Sequence, residues 1–270
     1  MMGEISGIRL AYEEYGRGNP LALLLIHGFP LDGRMWLGQV AALAEVAHVI
    51  VPDLRGHGRS EVPPGPYTME QHADDMATLL EHVGVERAVI GGLSMGGYVA
   101  FAFWRRHRAR VRGLALLDTR AEGDSEAARA NRDASMRRVR EAGVAAFVED
   151  MLPRVLAPAS LADSTIADEA RRIMAAQSVE GIVGALGGLR DRSDSRSVLP
   201  GIDVPVLVVG GAEDALTPPA DMEEMAAAIP AARMIVIPRA GHLSPLEQPA
   251  AVNEALMRFL AQTSRSHTQK

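Results

Sequence analysis

The chain has 270 residues, 47% hydrophobic and 23% charged, the balance of an ordinary globule long enough to bury a sizeable core. Its formal net charge of -6 leaves no electrostatic footprint for nucleic acid or an anionic membrane. With no cysteine, disulfides, thiolate nucleophiles and cysteine-held metals are excluded; the single lysine, Lys270, removes a P-loop lysine and argues against Schiff-base chemistry.

The N-terminus lacks the basic start and small-residue cleavage site of a secretory signal, which points to a cytoplasmic protein. Residues 8–15 alternate loosely and end at Gly16, the pattern of an edge strand. Residues 21–26 are continuously apolar, as in a strand buried on both faces of a parallel sheet, and the run is too short to span a membrane. It closes in His27-Gly28-Phe29-Pro30. Residues 36–46 have helical spacing. Residues 48–51 form the next buried strand, ending in Asp53-Leu54-Arg55-Gly56-His57-Gly58-Arg59-Ser60. Beyond a proline-rich loop, Met69, Ala73, Met76, Leu80 and Val83 recur on one helical face, with Glu70, Asp74 and Asp75 expected toward water.

Residues 88–90 make a short apolar run into Gly91-Gly92-Leu93-Ser94-Met95-Gly96-Gly97, after which a helical pattern starts. Residues 114–117 are a further buried strand, ending at Asp118. Strand and helix alternate throughout this half, so the expected fold class is α/β, a mostly parallel sheet covered on both faces.

The rhythm changes at Arg120. Residues 126–148, 159–177 and 179–189 read as helices separated by Pro153, Pro158 and Gly181, with no strand before residue 198. The segment is too long and too patterned for a loop, so 120–197 is expected to be a helical insertion. Its arginines Arg129, Arg132, Arg137, Arg138 and Arg140 read as a solvated face, unless one turns toward the site to steer an anionic substrate. The sheet resumes at 204–209 and 234–237, with a helix at 220–229 between them. Pro249 can open the closing helix at its first position. The expected division is therefore a core of 1–119 and 198–262, the helical insertion 120–197, and a polar disordered tail 263–270.

Gly92-x-Ser94-x-Gly96 between a strand and a helix is the setting of a nucleophile elbow. The glycines let strand and helix approach a residue on strained backbone, and the helix N-terminus favours an anion above Ser94. The glycines do not fit G-x-G-x-x-G, and no lysine follows, which disfavours a nucleotide site. A serine hydroxyl needs a base, and the base an orienter. His242 and Asp214 each follow a buried strand, where open α/β sheets place reactive side chains, and the order Ser94, Asp214, His242 suits such a triad. Asp118, also at a strand end, is the alternative acid, and Glu213 a lesser one. Asp53, Arg55, His57 and His27 are expected to hold loops together. The backbone N–H groups of Phe29 and Met95 are the expected oxyanion donors, and Leu31, Leu216 and Leu243 are candidate pocket walls, alongside the Phe29 and Met95 side chains.

The motifs His27–Pro30, Asp53–Ser60, Gly92–Gly97 and Gly241–Pro249 together resemble the α/β-hydrolase superfamily along nearly the whole chain. They are similar in particular to small bacterial carboxylesterases and the related enol-lactone hydrolases. The resemblance implies hydrolysis of short-acyl esters without a cofactor or metal, and a helical cap at 120–197. It leaves open enol-lactone opening or C–C cleavage of a ring-fission metabolite, with perhydrolysis as a side activity. Ser94 stands where haloalkane dehalogenases and epoxide hydrolases of this fold carry Asp, which disfavours those activities. A ligand sensor that keeps the triad for binding is a further alternative.

Overall fold

A computed structural model describes residues 1–230 and 232–265. The chain opens with a hairpin, β1 (Met2–Ile5) and β2 (Ile8–Tyr15), turned by Ser6 and Gly7, both at positive φ. Two-residue hairpin loops favour that geometry because it matches strand twist. β2 pairs with β1 on one side and with β4 (His48–Pro52) on the other. Residues 8–15 are therefore interior, and the edge position belongs to β1, which is only four residues long. Its signal was the Ser6-Gly7 turn between two isoleucines, Ile5 and Ile8.

The remaining strands are β3 (Ala22–Ile26), β5 (Ala88–Leu93), β6 (Val111–Leu117), β7 (Val206–Gly211) and β8 (Ala232–Ile237). The sheet order is β1-β2-β4-β3-β5-β6-β7-β8, parallel from β4 to β8. Every residue of β3, β5 and β7 is buried, which requires helices on both faces. That cover comes from α1 (Leu37–Leu43), α2 (Met69–His82), α3 (Met95–His107) and later helices. The expected α/β class and mostly parallel sheet are what the chain forms.

In α2 the apolar face is as expected, but Asp75 turns inward. It is 1% exposed and holds Arg55 through two bonds of 2.6 Å each. A buried carboxylate needs such a partner, and a bidentate guanidinium supplies it. The partner lies 20 residues upstream, which helical periodicity cannot reveal.

Between β6 and β7 lie α4 (Glu126–Val155), α5 (Pro158–Ala162), α6 (Ser164–Ala175) and α7 (Val179–Arg190). The break in α4 falls at Gly143, with φ 79 and ψ 172, and not at Pro153, which lies within the helix. Gly181 does not separate helices either; it sits in the first turn of α7, where a Cβ would come within 1.9 Å of the Gly56 carbonyl oxygen. After α8 (Pro219–Ala227) and β8, α9 (Ser244–Glu247) is a single turn, and α10 (Pro249–Arg265) closes the fold. Because α10 runs to Arg265, residues 263–265 are helical and Thr263 is buried, contrary to the expected disordered tail. Residues 266–270 of that expectation lie outside the described residues. Among the described residues, no helix is long and apolar enough to cross a membrane.

Candidate active site

The parallel strands bring their C-terminal ends to one edge of the sheet. Ser94 follows the last residue of β5 and has φ 52 and ψ -109, a conformation that costs an L-residue about 1–3 kcal/mol. The surroundings leave it no alternative. Its N–H donates to the Leu117 carbonyl at 2.8 Å, and its carbonyl accepts from the Thr119 hydroxyl at 2.8 Å. A Cβ on Gly92 would lie 2.2 Å from the Gly96 carbonyl carbon, and one on Gly96 would lie 2.3 Å from the Ile26 oxygen. Only glycine permits strand, turn and helix to close this tightly.

His242 and Asp214 meet this serine. His242 Nε2 is 2.8 Å from Ser94 Oγ, and His242 Nδ1 is 2.8 Å from Asp214 Oδ2. The Asp214 carboxylate also accepts from the Leu216 N–H at 2.8 Å, the Thr217 N–H at 3.0 Å and the Thr217 hydroxyl at 2.6 Å. Burial would raise its pKa, but the charge of His242 and these donors more than offset burial, holding the carboxyl below its ordinary value. An ionised, acceptor-only Asp214 fixes the proton on Nδ1 and leaves the Nε2 lone pair facing Ser94 Oγ.

The His242 segment is held in turn by Glu247. Its Oε1 accepts from the Gly241 N–H at 2.9 Å and the Leu243 N–H at 3.1 Å, and its Oε2 accepts from the Ala157 N–H at 2.9 Å. Neither Thr217 nor Glu247 was among the sequence candidates. Thr217 had one signal, an Asp followed three residues later by Thr, the spacing of a side-chain-closed turn. Glu247 is the acid of the Gly241–Pro249 motif, but its partners depend on tertiary contacts.

Asp118 is placed elsewhere. It is fully buried, accepts from the Gly211 N–H at 2.8 Å and the Ser244 hydroxyl at 2.5 Å, and ties β6 to the start of α9. Burial and the nearby Asp214 charge raise its pKa well above the usual carboxylate range. Glu213 is exposed. The other motif residues hold loops: His27 donates from Nδ1 to the Gly28 carbonyl and accepts the Leu54 N–H on Nε2, each at 2.9 Å. Asp53 accepts from the Gly33 and Arg59 N–H groups, and His57 donates to the Arg55 carbonyl.

Ser94 and His242 open into a cavity of about 170 Å³ between the sheet edge and the inserted helices. Phe29, Met95, Leu216, Phe147, Met151, Leu186 and Leu189 line it, and its polar side carries Arg120, Asp124, Asn131, Arg132 and Arg154. As the first residue of α3, Met95 has no carbonyl four residues back within the helix, so its N–H is available beside Ser94. Phe29 reaches the cavity from the loop after β3. Leu216 is a wall as expected. Leu31 and Leu243 are not: at 0% and 1% exposure they are core residues, their side chains turned inward from loops where no periodicity reports direction. Of the five arginines expected on a solvated face, Arg132 turns to the cavity.

A family model described as alpha/beta hydrolase fold matches residues 22–249. This chain belongs to the α/β-hydrolase family. Its relatives include a 3-oxoadipate enol-lactonase of Acinetobacter baylyi, 31% identical over 251 residues that cover 92% of either chain. Among solved structures, this α/β-hydrolase resembles a thermophilic esterase from Thermogutta terrifontis, 43% identical with a TM-score of 0.93 over 97% of this chain and 98% of that one. It also resembles an enol-lactonase from Burkholderia xenovorans, 32% identical with a TM-score of 0.90 over 97% and 100% of the two chains.

Proposed function

We propose that this α/β-hydrolase cleaves short carboxylic esters by acyl transfer to Ser94. The observation that carries the reading is the unbroken hydrogen-bond chain from Ser94 Oγ through His242 to Asp214, at 2.8 Å per link. His242 takes the hydroxyl proton as Oγ attacks the carbonyl carbon, and the N–H groups of Met95 and Phe29 receive the developing oxyanion. The imidazolium returns the proton to the departing alcohol, leaving an acyl-Ser94 ester. His242 then deprotonates a water, which attacks that ester, and the acid leaves as the proton passes back to Ser94. Asp214 stabilises the imidazolium without taking its proton.

The helices α4–α7 act as a cap that sets the length of acyl chain accepted. A cavity of about 170 Å³ is near the roughly 150 Å³ that holds one benzene ring, which favours short acyl groups. The kinship with two enol-lactonases favours a second reading on the same residues. A lactone is an internal ester, so the same attack would open an enol-lactone ring and leave the enol attached to the acyl group.

The test is Ser94→Ala with an acyl-length series of p-nitrophenyl esters and an enol lactone. Turnover should fall at least about a thousandfold, with the unfolding midpoint preserved. A Ser94→Ala variant that still turns over these substrates overturns the mechanism.

A further inference from the structure

We infer that Thr217 is a positioning residue: its hydroxyl pins Asp214 Oδ2, shares that oxygen with His242, and so sets how strongly the imidazole draws the Ser94 proton. This rests on the hydrolase reading above and deepens it. Thr217 lies in the turn between β7 and α8, three residues after Asp214 and directly before Pro218-Pro219. A residue that precedes proline is biased to extended backbone, and a β-branched side chain has few rotamers open to it. Thr217 is also buried, so its hydroxyl is aimed before any substrate arrives.

Three atoms close a triangle behind the imidazole. Thr217 Oγ1 donates to Asp214 Oδ2 at 2.6 Å, His242 Nδ1 donates to the same oxygen at 2.8 Å, and Oγ1 lies 3.3 Å from Nδ1. The hydroxyl has one proton and Oδ2 takes it, so Oγ1 faces the imidazole only as a second, weaker acceptor for the Nδ1 proton. The N–H groups of Leu216 and Thr217 hold the other carboxylate oxygen, Oδ1. The hydroxyl is thus the restraint, apart from His242 itself, that stops Oδ2 from swinging off Nδ1. Sharing also divides the charge of Oδ2 between two donors. Without the hydroxyl that charge falls on the Nδ1 proton alone, and the imidazolium becomes harder to discharge. The other charged groups around the pair are Asp118 at the end of β6, Glu247 on α9, and Arg120, Asp124, Arg132 and Arg154 on the cavity wall. Among the described residues none of these bonds to Thr217, so they stay in place when its hydroxyl is removed.

Thr217→Val removes the hydroxyl at nearly constant shape, Thr217→Ser keeps it, and Thr217→Ala replaces the valine variant if that one does not fold. Hydrolysis of p-nitrophenyl acetate is measured from about pH 5 to about pH 9. In Thr217→Val kcat should fall about tenfold with KM within about twofold, and the acid limb of kcat/KM should move up by about half a pH unit or more. Thr217→Ser should restore most of both. An acid limb that stays in place or moves down overturns the proposal while the hydrolase reading stands. So does an equal loss in Thr217→Ser, which would make packing and not the hydroxyl the cause. An NMR titration of the His242 ring, identified by comparison with His242→Gln, reads the same effect without turnover. If the wild type hydrolyses no ester, the hydrolase reading fails and this titration decides alone. A midpoint raised in Thr217→Val and returned in Thr217→Ser supports the proposal, and coincident curves overturn it.

Discussion

Asp118 and Asp214 follow neighbouring strands, β6 and β7, and both are buried, yet their carboxyl groups favour opposite protonation states. Asp118 has two donors to set against complete burial and the field of Asp214, and its pKa rises; Asp214 has four donors, one of them His242, and its pKa falls. The two should therefore respond differently to removal of charge. Asp214→Asn should lower kcat by about a thousandfold or more, because an amide cannot fix the His242 tautomer. Asp118→Asn keeps an acceptor for Gly211 and can donate to Ser244, so turnover of a p-nitrophenyl ester should stay within the same order as the parent. The reverse pattern would move the acid role to Asp118. Ser94 and Asp214 were legible because each follows an apolar run that is buried in the sheet. His242 was legible from the apolar run before it, although that strand, β8, is a sheet edge on which only Ile237 is buried and not the buried strand expected. Thr217 and Glu247 were not, since their role depends on which backbone N–H groups a loop presents, and Arg120 read only as the start of the inserted segment.

At the scale of elements, α7 shows how propensity misleads. Residues 179–189 read as a helix despite Gly181, Gly184, Gly187 and Gly188, each a poor helix former, but Gly181 reads as a break. In the fold they are points of contact with the loops packed beneath: a Cβ on Gly188 would meet the Tyr67 carbonyl oxygen at 1.6 Å, and one on Gly181 the Gly56 oxygen at 1.9 Å. Alanine in a helix interior gains about 1 kcal/mol over glycine, whereas overpacking costs about 1–3 kcal/mol. Against backbone at such distances the cost prevails, so Gly188→Ala and Gly181→Ala should each lower stability in urea unfolding. A stabilised variant would mean that α7 can stand off from those loops. The strands and α2 were readable from their periods, while the hairpin β1–β2 was missed because four residues barely establish an alternation.

For the whole molecule, the alternation of strand and helix, and the gap in it from 120 to 197, were enough to read the architecture. What the sequence hid was how many ionisable groups the fold encloses. His27, His57 and His72 are all buried, and burial holds His57 neutral down to about 3. In the unfolded chain a histidine takes up its proton near pH 6.5, so between that value and about 3 the unfolded state binds the extra proton. The stability due to His57 is complete above that window and drains as pH falls through it, at up to about 1.4 kcal/mol per pH unit. His57→Asn should make the slope of unfolding free energy against pH shallower by that amount, measured in urea at several values from pH 7 downward; an unaltered slope would mean that His57 is protonated in the fold. The Glu247 carboxylate has a mechanical counterpart to these effects. It clips the backbone on both sides of His242 and the chain just past α4, and the His242 N–H itself donates to the Val155 carbonyl at 2.9 Å. His242 and that end of the inserted helices therefore share one fulcrum. Lifting the helices there would draw the imidazole off Ser94, whereas Gly143, which breaks α4 midway with open space around it, is a point where the first half of α4 can shift without disturbing that contact.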